Sequence, residues 1–387
     1  VVEKNILKSD NLRSFFDNNQ FTLDDFLVYF EKAGYISDAY INATGYYSEK
    51  PENNIIIDRY LSYDLIKKYQ CPILGVNNLV YSDMDFNYTM GEDISRALQY
   101  IDEALSYDVD MIWKYILRVN DIVDLRNRLH INYVLSDKVK YNSQMPKTVY
   151  KNTVIIMHLY YMDLLEEVFA YIKNVPKDID IIITSLEKNH EFIIKQAKLI
   201  GRNNIKVLAA VNRGRDVAAL LVTAREFLLE YEYLCFVHDK KTNGNAGAVT
   251  IGDSFRYCMW ENTVKNAEYI DNILCTFEEN PRLGLLSPPE PYHADHFHIM
   301  GNEWATTYEI SKDLFSRLGI QVNSNKANGP FALSTSFWCR AKALKPLFQY
   351  EFVHEDFIEE PMPMDGTISH AIERSLIYVV QHEGYFS

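Results

Sequence analysis

Thr153-Val154-Ile155-Ile156-Met157-His158-Leu159-Tyr160-Tyr161 is the stretch on which the fold turns. A short apolar run rich in β-branched residues, closing in polar and aromatic ones, predicts a buried strand that ends at a surface. Helical spacing starts at Asp163, and a second run follows at Ile179-Asp180-Ile181-Ile182-Ile183. The pattern then repeats: a helix from Glu191, a strand over Ile205 to Val211, a helix from Asp216, a strand over Tyr233 to Val237. Strands alternating with helices predict β-α-β units and an α/β fold with a mainly parallel sheet. Upstream the period differs. From Asp93 to Ile101 and from Met111 to Val119 apolar residues recur every three or four positions, as on one face of a helix. The polar segment Ser136 to Lys147 separates the two regimes, so the expected organisation is a mainly helical region over 1–147 and an α/β domain over 148–387.

Composition narrows the class. With 387 residues, 48% hydrophobic, and only 15 Gly and 12 Pro, the chain can bury a large core and is not collagen-like or disordered. No uncharged apolar run reaches the ~20 residues of a membrane-spanning helix. The net charge of −14 has the wrong sign for neutralising phosphates along a nucleic acid, so nucleic acid is not an expected partner. Five widely spaced cysteines without a Cys-x-x-Cys pair suggest neither a disulfide framework nor a zinc site, and fit a reducing cytoplasm. Because the chain opens on Val1-Val2-Glu3, without a secretion signal, it is expected to be a piece of a longer polypeptide.

In a sheet of β-α-β units, ligands sit beyond the carboxyl ends of the strands. Here those ends are polar: His158 with Tyr160, Thr184-Ser185, Asn212-Arg213-Gly214-Arg215-Asp216, and His238-Asp239-Lys240-Lys241. Two guanidinium groups around a glycine at a helix N-terminus suit a diphosphate or a carboxylate. The plainer alternative is that Asp216 caps the helix and the arginines are solvated. For the lysines, the choice lies between neutralising a diphosphate and forming a charged hairpin. His293, Asp295, His296 and His298 could suggest a metal cluster, but His296 and His298 are two apart and share a face only on a strand, so the group reads as a solvated loop. Near the C-terminus, Glu359, Glu360 and Asp365 precede a helical run that carries His370, Glu373 and Arg374. Such a carboxylate either caps the helix or takes a proton from a hydroxyl.

Read together, His158-Leu159-Tyr160-Tyr161-Met162-Asp163-Leu164-Leu165, Asn212-Arg213-Gly214-Arg215-Asp216-Val217, His238-Asp239-Lys240-Lys241, Gly284-Leu285-Leu286-Ser287-Pro288-Pro289, Phe337-Trp338-Cys339-Arg340-Ala341-Lys342-Ala343-Leu344, and Asp365-Gly366-Thr367 with His370-Ala371-Ile372-Glu373-Arg374 resemble the C-terminal region of the rhamnan synthesis protein F family. Phe21 to Phe26 and Gly34-Tyr35 are similar to the segment that follows a further N-terminal transferase-like domain in that family. The resemblance implies a GT-A-like, Rossmann-like glycosyltransferase at the cytoplasmic face of the cell membrane. Its reaction would move rhamnose or a related deoxyhexose, with inversion, from a nucleotide donor such as dTDP-rhamnose to a lipid-linked oligosaccharide of the cell wall. Donor contacts would then come from His158, Tyr160, Asn212, Arg213, Arg215, Asp216, His238, Asp239, Lys240 and Lys241. Asp239 stands where GT-A enzymes often place a metal-binding carboxylate, so Mg²⁺ or Mn²⁺ use is left open. Asp365 is the expected general base and Glu360 its alternative, while His370 and Arg374 would face the acceptor. Trp338 and Arg340 share a strand face and suit stacking on a sugar, unless Trp338 is simply core. The competing expectation is a glycan-binding or scaffolding module without catalysis.

Overall fold

The computed structural model describes Lys67 and residues 90–105, 108–122, 125–126, 133–142, 145–202, 204–241, 246–289, 303–327, 329–332 and 334–387. The expectations placed on Phe21 to Phe26, on Gly34-Tyr35, and on His293, Asp295, His296 and His298 lie outside the described residues. By contacts, the chain divides into one unit of Val1–Asn120 with Asp124–Ile131, and another of Asp121–Val123 with Asn132–Ser387.

In the first unit, α1 (Met90–Leu105) buries Ala97, Leu98 and Ile101, and α2 (Asp110–Val119) buries Trp113, Ile116 and Leu117. Both sets follow the three-to-four residue spacing that puts side chains on one helix face. Asp110 in the first turn of α2 and Arg118 in its last turn complement the helix dipole.

The second unit is mixed α/β. Its strands are β1 (Thr153–His158), β2 (Asp180–Ser185), β3 (Ile205–Ala209), β4 (Tyr233–His238), β5 (Leu285–Leu286) and β6 (Phe337–Arg340), in the order β3-β2-β1-β4-β6-β5. β1 to β4 are mutually parallel, while β6 runs antiparallel to both β4 and β5. Every residue of β1 and β4 is buried, as expected for central strands covered on both faces.

Alternation along each strand sorts the core into two layers. Val154, Ile156, Leu234, Phe236, Phe337 and Cys339 pack with residues of α5 (Arg215–Ala218), α8 (Tyr308–Leu318) and α9 (Ile368–His382). Ile155, Met157, Cys235, Val237 and Trp338 point the other way. There they meet α3 (Leu165–Ile172), α4 (His190–Leu199), α6 (Ala246–Glu261) and α7 (Ala267–Glu279). Asn272 of α7 fastens the polar segment ahead of β1: its Oδ1 accepts from the Tyr141 amide at 2.7 Å, and its Nδ2 donates to Ser136 and Val139 carbonyls at 2.8 and 2.7 Å.

The helix expected from Asp216 onward differs. After α5 the backbone widens into a π-turn over Ala219–Thr223, closed by the Ala224 amide on the Ala219 carbonyl at 3.1 Å, and then tightens over Arg225–Phe227. Among the described residues, no helix is long and apolar enough to cross a membrane.

Candidate functional site

The strand order reverses direction beside β1: β2 and β3 follow on one side, β4 on the other. Ligand crevices of open α/β sheets form at such a point, outside the carboxyl ends of the strands. His158 and His238 close the two strands that part there, and they are partners in the register. His158 Nδ1 lies 3.0 Å from Thr184 Oγ1, whose own proton goes to the Met157 carbonyl at 3.3 Å. The ring therefore donates from Nδ1 and presents the Nε2 lone pair. Burial outweighs its neighbours and pulls its pKa down to about 4, so it is neutral at pH 7.

His238 Nδ1 donates to the Asp239 carbonyl at 2.9 Å, and its Nε2 lies 3.8 Å from Asp216 Oδ2. Asp216 also accepts from the hydroxyl of Thr335, on the approach to β6. Burial pushes the Asp216 pKa up, but His238 and the Thr335 hydrogen bond outweigh it and hold the carboxyl below its ordinary range. Thr335 reaches this rim because β6 is antiparallel, so its beginning meets the ends of the parallel strands.

Asp239 joins two strand exits. Its Oδ2 accepts the amides of Tyr160 and Tyr161 at 2.8 and 2.7 Å, which locks the chain leaving β1 to the chain leaving β4. Burial raises its pKa to about 7 against the pull of those two amides. Among the described residues, no three His, Cys, Asp or Glu side chains converge as metal ligands. Lys240 stacks its ammonium 4.0 Å from the centre of the Phe255 ring, and Lys241 pairs with Asp163. Tyr160 is partly exposed and meets Tyr161 edge-on at 5.0 Å.

Asn212 is exposed, and the two arginines beside it are engaged. Arg213 donates to the Phe357 carbonyl at 2.8 Å and to Glu359 at 3.0 Å. Arg215 pairs with Glu360 at 3.0 Å, and its side chain keeps 46% exposure, so it still faces solvent over the rim. Gly214 makes the turn possible: its φ is +71°, and a Cβ there would lie 2.6 Å from Phe357 Cγ. Arg215 follows with φ +52°, an uncommon conformation for a side chain and one that concentrates at functional sites.

The acidic stretch near the C-terminus is well supplied with hydrogen-bond donors. Asp365 accepts from Arg374 at 2.7 Å through Oδ1, and from the Thr306 amide and hydroxyl at 3.0 and 2.6 Å through Oδ2. Although burial raises its pKa, these bonds prevail and draw it down to about 2, far from what proton abstraction near neutrality needs. Thr367, not Asp365, caps α9. Glu360 is likewise held low, burial being outweighed by Arg215 and the Met362 amide. Both candidates for the base are thus carboxylates stabilised in their charged form.

Trp338 and Arg340 leave the site altogether, which corrects their assignment to the acceptor. Trp338 is 1% exposed and donates to the Thr263 carbonyl at 2.9 Å. Arg340 pairs in register with Tyr233, at the opposite end of β4, and its guanidinium is spent on Glu232, Tyr233 and the Phe277 carbonyl. The shared face is real, but it points into the layer of α6 and α7.

His370 and Arg374 lie together on α9, where His370 Nδ1 is 2.8 Å from Thr367 Oγ1 and Arg374 donates to Asp365 and Thr307. Between them on α9 stands Glu373, which the sequence reading names in this helical run without a role, while Thr306 and Thr335 are not singled out by it. Its only signal was the helical spacing of 370, 373 and 374. The hydroxyls of Thr306 and Thr335 had none, because their partners are distant in sequence.

The profile described as rhamnan synthesis protein F matches residues 6–385. Two proteins named "Uncharacterized protein WxcX", from two strains of Xanthomonas campestris pv. campestris, are each 30% identical over 236 residues, covering 60% of this chain. That stretch is 32% of each relative, so the chain matches about a third of the length of these curated proteins.

Proposed function

Because the chain belongs to the rhamnan synthesis protein F family, with a role in polysaccharide synthesis, we propose that its α/β unit is a GT-A-like inverting glycosyltransferase. It moves a deoxyhexose, rhamnose first among the candidates, from a nucleoside-diphosphate donor to a lipid-linked cell-wall glycan. One observation carries the reading: the strand order reverses where His158 and His238 end β1 and β4, and there Asp216 Oδ2 lies 3.8 Å from His238 Nε2, with Arg215 and Lys240 in the adjoining chain. Cations at a crevice of this kind suit a diphosphate leaving group, whose growing charge they stabilise. The order β3-β2-β1-β4-β6-β5 with β6 reversed also supports a GT-A-like sheet.

In this reading the Tyr160-Tyr161 turn, clamped by Asp239, forms one wall of the donor site, and Arg215 and Lys240 meet the diphosphate. Peripheral attachment to the inner face of the membrane would bring the lipid-linked acceptor to the rim. A second reading, a glycan-binding scaffold, draws on the pairing of Arg213 and Arg215 with Glu359 and Glu360, which already neutralises two of the expected anion-binding groups.

Thermal stabilisation of the chain by a panel of dTDP-, UDP- and GDP-sugars, with and without Mg²⁺ or Mn²⁺, tests the proposal, together with a transfer assay. A donor that raises the melting temperature by mass action and is turned over supports it. Stabilisation by glycans alone, with no nucleotide sugar bound, supports the scaffold.

A further inference from the structure

We infer that Glu373 is the catalytic base that takes the proton from the acceptor hydroxyl, an inference resting on the glycosyltransferase reading above. The argument starts from α9. From Ser369 to Gln381 every position is buried except His370, Glu373 and Arg374. Spaced by three and four residues, these share one helix face, which opens a polar stripe in a helix otherwise enclosed by core. Glu373 itself is half-buried, so solvent reaches its carboxylate.

Arg374 beside it donates to Asp365 at 2.7 Å and to Thr307 at 3.1 Å, and α9 shares its core with α5 through Ile372, Leu376, Val217 and Ala218; Lys240 and Asp216 also act on Glu373 electrostatically. Among the described residues Glu373 accepts no hydrogen bond, whereas Asp216, Asp239, Glu360 and Asp365 all do. A carboxylate without a hydrogen-bond partner, beside the satisfied Asp365–Arg374 pair, is the group with a lone pair to offer a substrate. Burial raises its pKa against the pull of Lys240 and Arg374, toward the range that suits a base near neutrality.

The step balances. The acceptor oxygen bonds to the anomeric carbon as its proton passes to Glu373. The bond from that carbon to the diphosphate breaks, and the nucleoside diphosphate leaves with the electron pair. Glu373 then returns the proton to solvent.

The test compares the wild-type chain, Glu373→Gln and Asp365→Asn, using dTDP-rhamnose and a polyprenyl-diphosphate oligosaccharide acceptor. Glu373→Gln should lose at least about a hundredfold in kcat while its melting temperature and donor-induced stabilisation stay at wild-type values. Wild-type kcat should rise with pH through an ionisation above the ordinary carboxylate range. If Glu373→Gln does not fold, this pH profile decides, and a flat profile between pH 5 and 8 overturns the assignment. Glu373→Gln turnover within threefold of wild type overturns the inference and leaves the transferase reading standing. A wild-type chain that transfers from no donor in the panel removes both.

Discussion

Asp365→Asn separates a tether from a base. In the native state the Asp365 carboxylate is held by Arg374 and by both donors of Thr306, which joins the chain ahead of α8 to the start of α9. Its pKa falls from 3.8 to about 2, and at about 1.4 kcal/mol per tenfold change in proton affinity this sets a ceiling of about 2.5 kcal/mol. The side chain is 26% exposed, so solvent screening brings the expected loss in Asp365→Asn to about 1–2 kcal/mol at pH 7. For a unit of this size that is about 3–6 °C in melting temperature. Because the folded pKa is depressed, the contribution is complete above the unfolded pKa and is lost as pH falls through the folded one. About half of the gap to wild type should therefore close by pH 3. Scanning fluorimetry of both chains from pH 7 to pH 3 measures it. A melting temperature within 1 °C of wild type at pH 7, or a deficit that does not shrink on acidification, refutes the tether.

Asp239→Asn keeps an oxygen for the Tyr160 and Tyr161 amides but cannot ionise. The wild-type carboxyl has a raised pKa, so its contribution is complete below about pH 4 and is lost as pH rises to about 7; melting curves should show that decline flattened in the variant, and equal slopes would contradict the assignment. Gly214→Ala drives a Cβ to 2.6 Å from Phe357 in a left-handed conformation, so it should cost about 1–3 kcal/mol in urea unfolding; an unchanged midpoint would refute the clash. Arg202 is 5% exposed and donates to the carbonyls of Val175, Pro176 and Ile179, so Arg202→Met should cost about 3 kcal/mol or more by stranding them; a loss under 1 kcal/mol would show that they find other donors. Arg215→Ala and Lys240→Ala should each weaken nucleotide-sugar binding about tenfold or more by calorimetry, and unchanged affinity in both would remove them from the donor site.

What the amino-acid sequence determined by itself was whatever depends on near neighbours along the chain. The β-branched runs at Thr153–His158, Asp180–Ser185 and Tyr233–His238, and the helices between them, follow from side-chain period, a property of a few consecutive residues. That period, together with the rule that ligands gather at strand ends, was enough to point at His158, Asp216, His238 and Lys240. Only the tertiary structure decided the rest. Trp338 and Arg340 share a face on any strand, but antiparallel pairing of β6 with β4 turned that face into the core and carried Arg340 to the opposite end of the sheet. The two arginines around Gly214 acquired partners 145 and 146 residues away in Glu360 and Glu359. Proton affinity is the clearest case. Asp239, Asp365 and Glu373 carry the same carboxyl group, and what separates them is desolvation and the donors within reach, set by elements that meet only when the sheet is assembled.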